Sequence, residues 1–450
     1  DLNSRSSVQL SLPANGESPI LDLESRWSIV DLGAARRYLP ATLIEPGLYR
    51  WLSSALLAGN VPTGTTRFSG ALDRFPFDNG EGVFRIEAEL RDATLRYSEQ
   101  WPDAEIESLQ LVVDRTRLYS QDNTAVNAGN SVVDAKIEIA DLRNPVLTID
   151  AFATGTLSSI RQFAQRSPIA AIFGGHLQRV SVAGDASFTL QLEYPILRRQ
   201  DFSFTTKVRS SNGELRIDGF APPVTELNGV VSISRDNIES ESLFGHFLGE
   251  PVAIELRSAP PEQAGHSVVA EVSGRATADG LSAEFGAALG RILEGATEYR
   301  GRILFPHADS EVAGELQIDI ESTLQGVTIN LPEPLNKERN EARALAAHIR
   351  FPQANRIITS GSAGEDLRWS LDFARNDRGW DFERGVLAAG GAMPGEADTR
   401  GLHITGRTPV FRLRDWLAVG SGGGEGAGLA DRIRAADVEV ENLYVLGQHF

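Results

Sequence analysis

The sequence predicts a mostly β protein, in which a long antiparallel sheet is accompanied by a few short amphipathic helices. The first observation is an alternation of apolar and polar residues along most of the chain, which is typical of strands with one buried face. The second is the content of 43 Gly and 21 Pro in 450 residues with only 7% aromatics, as expected for many short strands joined by turns. The third is that strands do not alternate regularly with helices, which argues against a parallel doubly wound sheet.

Residues 82–114 show the pattern that the rest of the chain repeats. One face of the first strand carries Phe84, Ile86, Ala88 and Leu90, and the other carries Arg85, Glu87, Glu89 and Arg91. After a corner at Trp101-Pro102, a second strand places Leu109, Leu111 and Val113 on one face. Because hairpins of this kind recur, we expect roughly 25 strands. They are predicted to form one continuous repetitive unit over residues 1–450.

Helical segments are predicted near 33–59, 157–165, 278–293 and 412–419. Pro40 divides the first of them, since proline interrupts a helix interior. In its second half Leu48 and Trp51 begin an apolar stripe at helical spacing, and Gly59 is the expected end. The glycine-rich stretch 420–428 is predicted to be a flexible loop.

Charge and residue content exclude several classes of function. The formal net charge of −18 argues against nucleic acid and against a polybasic contact with anionic lipid head groups. The absence of cysteine excludes disulfides and thiol chemistry and fits an oxidising compartment. No apolar run has the length of a membrane-spanning helix. Because Met393 is the only methionine, we expect a piece of a longer protein whose membrane anchor lies outside this chain.

No residue pattern indicates an active site. The seven histidines are scattered, and none pairs with another at a metal-ligand spacing. Neither a GxSxG elbow nor a phosphate-binding loop with its lysine occurs. Acidic pairs such as Asp381 and Glu383 could serve a glycosidase only if two carboxylates faced each other in a cleft, and solvated charge on an outer strand face is the simpler interpretation. The sequence therefore predicts a non-enzymatic protein with no catalytic residue, metal site or cofactor.

The apolar face of the predicted sheet needs a cover, because one face of a sheet has to be buried. The few helices cannot cover roughly 25 strands. The sheet therefore either folds on itself as a sandwich with a dry core or curls into a groove filled by a ligand such as acyl chains. The alternating pattern alone favours the sandwich. Two features favour the groove: a lining rich in Val, Ile, Leu and Ala, and no sign of closure near the ~100 residues of an ordinary sandwich domain.

Several short motifs, in this order, resemble those of a known family. They are Tyr38-Leu39-Pro40, the Trp51-Leu52 helix ending at Gly59, Phe75-Pro76-Phe77, Trp101-Pro102, residues 322–326 (STLQG) and residues 331–337 (LPEPLNK). Together they resemble the large AsmA-like proteins of Gram-negative bacteria, specifically the YhdP branch. The similarity extends over essentially the whole chain, which corresponds to a central portion of a longer protein. Asn336 stands where we expect glycine, and since asparagine also tolerates a positive φ, the turn is retained.

The resemblance implies a U-shaped β-sheet with an apolar groove along which phospholipids move between the inner and outer membranes. It implies a periplasmic protein, anchored in the inner membrane by a segment outside this chain, with phospholipid acyl chains as its ligand. It does not indicate the protein partners at either membrane. Roughly 25 strands spaced about 4.8 Å apart advance ~120 Å, so the chain corresponds to a section of such a bridge. The alternative from another class is a structural or adhesive β-rich envelope protein with a dry sandwich core.

Under this hypothesis the inward apolar side chains line the groove. The expected lining consists of Phe84, Ile86, Ala88, Leu90, Leu95, Leu109, Leu111, Val113, Ile137, Ile139, Phe188, Leu190, Leu192, Val327 and Ile329. Arginine at Ile86 or Leu190 is expected to block lipid movement, whereas arginine at the outward Gln191 is not.

Overall fold

The structure is a computed structural model of the 450-residue chain. It describes all residues except 1, 15, 40–43, 174–179, 218–219, 261–265, 307–314, 354, 377–378, 421–431, 446–447 and 450. The described residues form a sheet of 25 strands with five short α-helices, which confirms the mostly β class. Two compact units are distinguished. Unit 1 is Asp1–Ile172, Val182–Gly213 and Val230–Asn237, and unit 2 is Phe173–Ser181, Glu214–Gly229 and Ile238–Phe450.

Unit 1 begins with nine strands and two helices. In chain order they are β1 (Leu2–Ser11), β2 (Ile20–Ile29), α1 (Pro46–Ala55), β3 (Leu56–Ala71), β4 (Val83–Leu95), β5 (Ala104–Asp114), β6 (Arg117–Ser120), β7 (Thr124–Asn127), β8 (Asn130–Ile139), β9 (Val146–Thr156) and α2 (Leu157–Gln165). Short 3-10 helices lie at Leu32–Arg37, Leu72–Arg74, Pro168–Phe173 and Arg199–Asp201. The next strands, β10 (Val180–Pro195), β11 (Ser203–Ile217) and β12 (Phe220–Ser234), have residues in both units.

Unit 2 contains the remaining strands and three helices. They are β13 (Ile238–Phe247), β14 (Glu250–Ser258), β15 (His266–Thr277), α3 (Ala278–Phe285), α4 (Ala287–Ile292), β16 (Leu293–Pro306), β17 (Leu316–Ser322), β18 (Val327–Ile329), β19 (Leu345–Gln353), β20 (Arg356–Ala363), β21 (Leu367–Asn376), β22 (Gly379–Ala389), β23 (Gly401–Arg412), α5 (Leu413–Gly420), β24 (Ile433–Val445) and β25 (Gln448–His449).

The register of unit 1 aligns the predicted inward residues in rows across the strands. Ile86 on β4 lies opposite Val113 on β5, which lies opposite Leu118 on β6. The row continues on β8, β9 and β10 through Ile139, Leu147 and Tyr194. Because directly opposed residues point to the same side of a sheet, these side chains form one continuous apolar row.

Strand bulges change which residues of a strand face inward. Leu90 pairs with Leu109, yet three residues later Ala93 pairs with Ile106, and all four side chains are buried. Asp92 between them has a φ of 48°, and such a left-handed residue shifts the alternation by one position. Leu95 therefore shares the inner face with Leu90 despite its opposite parity. Asn212 and Ser242, with φ of 53° and 48°, mark the same shift in β11 and β13.

The helices occur where the sequence predicts them, with some different bounds. The prediction of helix up to Gly59 is wrong for 56–59, where β3 begins at Leu56. Gly59 has a φ of 115°, and a Cβ there would lie 2.5 Å from the Ala93 Cα, so this residue belongs to a tightly paired strand. Gly286, with φ of 108°, divides the predicted 278–293 segment into α3 and α4. Of the predicted 420–428 loop, 421–428 lies outside the described residues.

The antiparallel pairing extends up to β22, and the prediction of an entirely antiparallel sheet is wrong at the last large strands. β22 pairs with β23 in parallel, and β23 pairs with β24 in parallel. Parallel neighbours need a crossover connection. The segment 390–400 supplies the first crossover, and α5 belongs to the second. Within the described part of the chain, no helix is long and apolar enough to cross a membrane.

Candidate functional site

The apolar face of unit 1 is open to solvent at the first two strands. Val8 and Leu10 on β1 are 61% and 55% exposed. They lie opposite Leu23 and Leu21, and Leu23 is in turn opposite Phe68 on β3. The register thus connects these exposed side chains to the same face as the expected lining. An apolar face of this kind, left open in the folded chain, is typical of a surface that binds another molecule.

The expected lining on β4 and β5 is only half covered. Phe84, Ile86, Leu111 and Val113 are all half-buried. Next to them, Ala88, Leu90, Leu109 and Ile106 are buried in a cluster with Ile29, Leu32, Val61, Ala93 and Ala125. The apolar face therefore consists here of a buried cluster and, beside it, a strip of apolar side chains that remains accessible to solvent.

The opposite face of the same strands carries paired charges. Arg85 Nη2 lies 2.7 Å from Glu87 Oε1, and Arg117 Nε lies 2.7 Å from Glu138 Oε1. These pairs are largely exposed, so they contribute little to stability. They keep the outer face solvated and separate it chemically from the apolar face.

In contrast, the inner face of β9 to β11 is covered from within unit 1. The α2 helix buries Leu157, Ile160 and Phe163. The Phe163 ring lies 5.7 Å from that of Phe188 on β10 and 5.7 Å from that of Trp101. On the same strand as Phe188, Leu190 is only 6% exposed. The apolar stripe of α2 was visible in the sequence at the i, i+3, i+6 spacing of these residues, but its inward docking was not predicted.

In unit 2, opposite parts of the apolar face pack against each other at one point along the sheet. Ile217 on β11 packs in a buried cluster with Leu316 and Ile318 on β17 and Phe351 on β19. Opposite parts of the inner face meet directly there. Further along the sheet, Trp369 on β21 remains half-buried among neighbours on the same face, a part of the face that the expected lining did not include.

The last two expected lining residues lie in a separate ladder of unit 2. Val327 and Ile329 on β18 pair with Gly295 and Leu293 at the start of β16. Lys337, only 1% exposed, donates hydrogen bonds from Nζ to the carbonyls of Val327 and Glu338 at 2.8 and 3.0 Å. Burial lowers the pKa of Lys337. The buried Lys337 side chain therefore links the 331–337 motif to β18.

The expected lining thus divides into two groups. Fully buried are Ala88, Leu90, Leu109, Ile139, Phe188, Leu190, Leu192 and Val327. Half-buried are Phe84, Ile86, Leu95, Leu111, Val113, Ile137 and Ile329. A ligand can reach only the second group without rearrangement of the chain.

A polar cleft of about 380 Å³ lies on the other, charged face of unit 2. Its charged lining is Arg356, Arg384, Arg400, Asp372, Glu383 and Asp398. Because three positive and three negative groups balance, the cleft offers no net charge to a ligand. Among the described residues, no group of three or more His, Asp and Glu side chains is placed to hold a metal ion.

The centre of this cleft is the Asp372 carboxylate, which we expect to stabilise unit 2 in a pH-dependent way. Arg356 Nη2 and Arg384 Nε donate to it at 2.7 and 2.9 Å. Burial raises the pKa of Asp372, but the hydrogen bonds from the two arginines outweigh burial and hold it below its usual value. A depressed folded-state pKa gives stability that is present above about pH 4 and is lost as pH falls through that pKa.

Asp372→Asn is therefore expected to lower the free energy of unfolding by about 2 kcal/mol at pH 7, allowing for the partial exposure of both arginines. The difference from wild type should shrink as pH falls below about 4. Urea unfolding followed by tryptophan fluorescence measures both quantities. A difference that stays constant from pH 7 to pH 3 would contradict this role for the carboxylate.

Comparison with known proteins identifies the family of the chain. A model of the family described as YhdP protein matches residues 1–450. The chain is also 24% identical over 414 residues to a protein of Escherichia coli K12 named intermembrane phospholipid transporter YhdP. That alignment covers 90% of this chain and 32% of the relative, so the chain spans about a third of the relative's length. No solved structure matches the chain significantly. Since the family model covers every residue, the chain belongs to the YhdP family.

Proposed function

We propose that this chain is a non-enzymatic section of a periplasmic bridge that carries phospholipids between the inner and outer membranes. Acyl chains lie on the apolar face of the sheet, and head groups stay in water. Membrane attachment and the protein partners at both ends belong to parts of the protein outside this chain. In this role the protein supports the lipid balance and barrier of the outer membrane.

The observation that carries this proposal is an apolar face that remains accessible in the folded chain. The exposed Val8 and Leu10 and the half-buried Ile86 and Val113 lie on one side of the sheet, opposite a charged side. The name of the relative, intermembrane phospholipid transporter, supports acyl chains as the occupant of this face.

The energetics of the face suit transport as well as binding. Each CH₂ group removed from water is stabilised by about 0.8 kcal/mol, so a contact over five CH₂ groups contributes about 4 kcal/mol. Apolar side chains also line the accessible part of the face, from Phe84 and Ile86 on β4 to Leu111 and Val113 on β5. A lipid that slides along this part exchanges one apolar contact for another, which keeps the barrier to movement low.

A structural envelope protein with a dry core is the second candidate. The observation that favours it is the buried cluster of Ile217 with Leu316, Ile318 and Phe351, where opposite parts of the inner face touch. If this packing extended along the whole face in the complete protein, no acyl chain could enter.

Site-specific photo-crosslinking in the full-length protein distinguishes the two candidates. A photoreactive amino acid at Ile86 is expected to label phospholipid, because this side chain is inward and half-buried. The matched position is Glu87, its exposed neighbour on the same strand, which should give no lipid adduct. The absence of an adduct at Ile86, with the protein folded and membrane-associated, would favour the dry core.

A further inference from the structure

We infer that α2 and the Trp101 corner form a plug that occupies the acyl-chain path of unit 1, in which a passing lipid displaces α2 while the corner stays in place. The plug is defined as α2 together with residues 96–103 between β4 and β5. This inference rests on the proposed transport of phospholipids and concerns the regulation of that same apolar face.

The corner is built to hold one tryptophan in a fixed position. The two ends of the corner are joined by an ion pair, in which Arg96 Nε and Nη2 donate to the two carboxylate oxygens of Asp103 at 2.9 Å each. These hydrogen bonds lower the pKa of Asp103, so the clamp stays ionised at neutral pH. Trp51 of α1 donates from Nε1 to the carbonyl of Tyr97 at 2.8 Å. The corner is therefore held from both ends while Trp101 extends from its middle.

Trp101 spans the inner space of unit 1 from one part of the sheet to another. It is only 3% exposed, and its ring lies 6.3 and 6.0 Å from those of Phe202 and Phe204 near the start of β11. The corner connects β4 to β5. In the order of strand pairing, four strands lie between β5 and β11, namely β7, β8, β9 and β10. The tryptophan therefore bridges two distant strands across the apolar face.

The α2 helix fills the space beside this bridge. It follows β9 without a linker, and its start is fixed by a capping box of Thr156 with Ser159. Ser159 also donates to Asn130 Oδ1 at 2.8 Å. Beyond this start, the buried residues Ile160 and Phe163 of α2 are apolar, and Phe163 touches both Phe188 and Trp101. The helix thus has a polar pivot at one end and an apolar body that lies where an acyl chain would.

The docked state leaves a polar atom of the plug unsatisfied. Within the described part of the chain, the buried Trp101 Nε1 has no hydrogen-bond partner. A buried donor or acceptor without a partner is costly, so the docked plug is less stable than its apolar contacts alone imply. Apolar contacts with α2 can be replaced by contacts with CH₂ groups at little cost, because both are nondirectional. These two features make α2 displaceable by lipid.

An accessible strip of the inner face ends at the plug. Before the plug in the order of pairing, Val8, Ile86 and Val113 are exposed or half-buried beside the buried Ala88 and Leu90. Beneath it, Leu190 and Leu192 are 6% and 2% exposed. A lipid that moves along this face from β1 therefore meets the plug before it can reach β10.

A reducible cross-link that locks the plug gives the first test. The chain has no cysteine, so Phe163→Cys with Phe188→Cys introduces one defined pair at two side chains whose rings are in contact, which a short bifunctional methanethiosulfonate can join. With the cross-link verified by mass spectrometry, phospholipid transfer by the full-length protein is expected to fall at least tenfold and to recover on reduction. Each single cysteine variant is the control for lost aromatic packing. Transfer that is equal in the cross-linked and reduced forms would overturn the plug.

A variant that releases the plug gives the opposite test. Ile160→Ser removes an inward contact of α2, and Gln162→Ser, at an exposed position of the same helix, is its matched control. With a compact diazirine side chain at Leu190, we expect lipid labelling to rise severalfold in Ile160→Ser and to stay at the wild-type level in Gln162→Ser. Unchanged labelling, or general protease sensitivity of Ile160→Ser, would mean that α2 is a fixed part of the core.

Labelling at Ile86 separates the two hypotheses. Lipid adducts at Ile86 together with no response at Leu190 would reject the plug and retain the proposed transport. No adducts at either position, with the plug released, would reject the proposed transport itself.

Discussion

Replacing Ile86 by arginine in the full-length protein is expected to reduce phospholipid transfer about a hundredfold. A guanidinium on the apolar strip keeps its water and displaces about four CH₂ groups of a passing chain, which costs roughly 3 kcal/mol at that point of the path. Ile86 is half-buried, so the longer side chain can extend over the strip without disrupting the sheet. Exchange of labelled phospholipid between inner- and outer-membrane fractions of cells that carry the variant measures the effect.

The control is Glu87→Arg on the same strand. Its side chain lies on the charged face beside Arg85, so it alters surface charge without touching the lipid path. We expect transfer within twofold of wild type, as usual for a surface substitution away from a site. Equal losses for Ile86→Arg and Glu87→Arg, at equal protein levels, would mean that the loss comes from folding and not from the apolar face.

The second large effect is expected at Phe77, which closes the inner face at the turn between β3 and β4. Phe77 is fully buried and its ring lies 5.2 Å from that of Phe68. A Cβ at Gly70 or Gly82 would lie 2.6 Å from this ring, so both glycines leave room for it. Phe77→Ala is expected to destabilise this region by about 3 to 5 kcal/mol, through lost burial and the cavity left behind.

Phe75→Ala is the matched substitution in the same turn. Phe75 is half-buried and stacks on Phe68 at 5.9 Å, so its loss is expected to cost about 1 to 2 kcal/mol. Hydrogen exchange of β3 and β4 peptides in the full-length protein reports the local opening free energy of each variant. A larger effect for Phe75→Ala than for Phe77→Ala would be inconsistent with the packing described here.

Much of the fold follows from the two-residue period of the sequence. Ile86, Leu111 and Val113 face one side because strands place alternate residues on opposite faces, and the structure has this arrangement. The α2 bounds also follow from sequence, since Thr156 caps the first turn and the apolar stripe ends near Gln165. Strand faces and helix bounds of this kind can be predicted from the local sequence, without knowledge of tertiary contacts.

Other features depend on contacts between distant residues. The end of α1 at Ala55 is set by the pairing of the next residues with β4, where Gly59 approaches Ala93. Asp92 is a residue type that tolerates a left-handed backbone, yet the sequence alone does not tell a bulge from an ordinary strand position. Which part of the apolar face is covered was equally unpredictable, because the inward position of Trp101 depends on contacts with β11, about 100 residues away.

The most direct test of the account is a photo-crosslinking scan along β4 in the full-length protein. If acyl chains lie on the apolar face, lipid adducts are expected at Phe84 and Ile86 and none at Arg85 or Glu87. Beyond the bulge at Asp92, the inward parity changes, so Leu95 should label lipid although it is an odd-numbered residue. Adducts with a period of two that shifts at Asp92 are the expected result. No adducts at the inward positions, or equal adducts on both faces, would contradict a lipid-carrying apolar face.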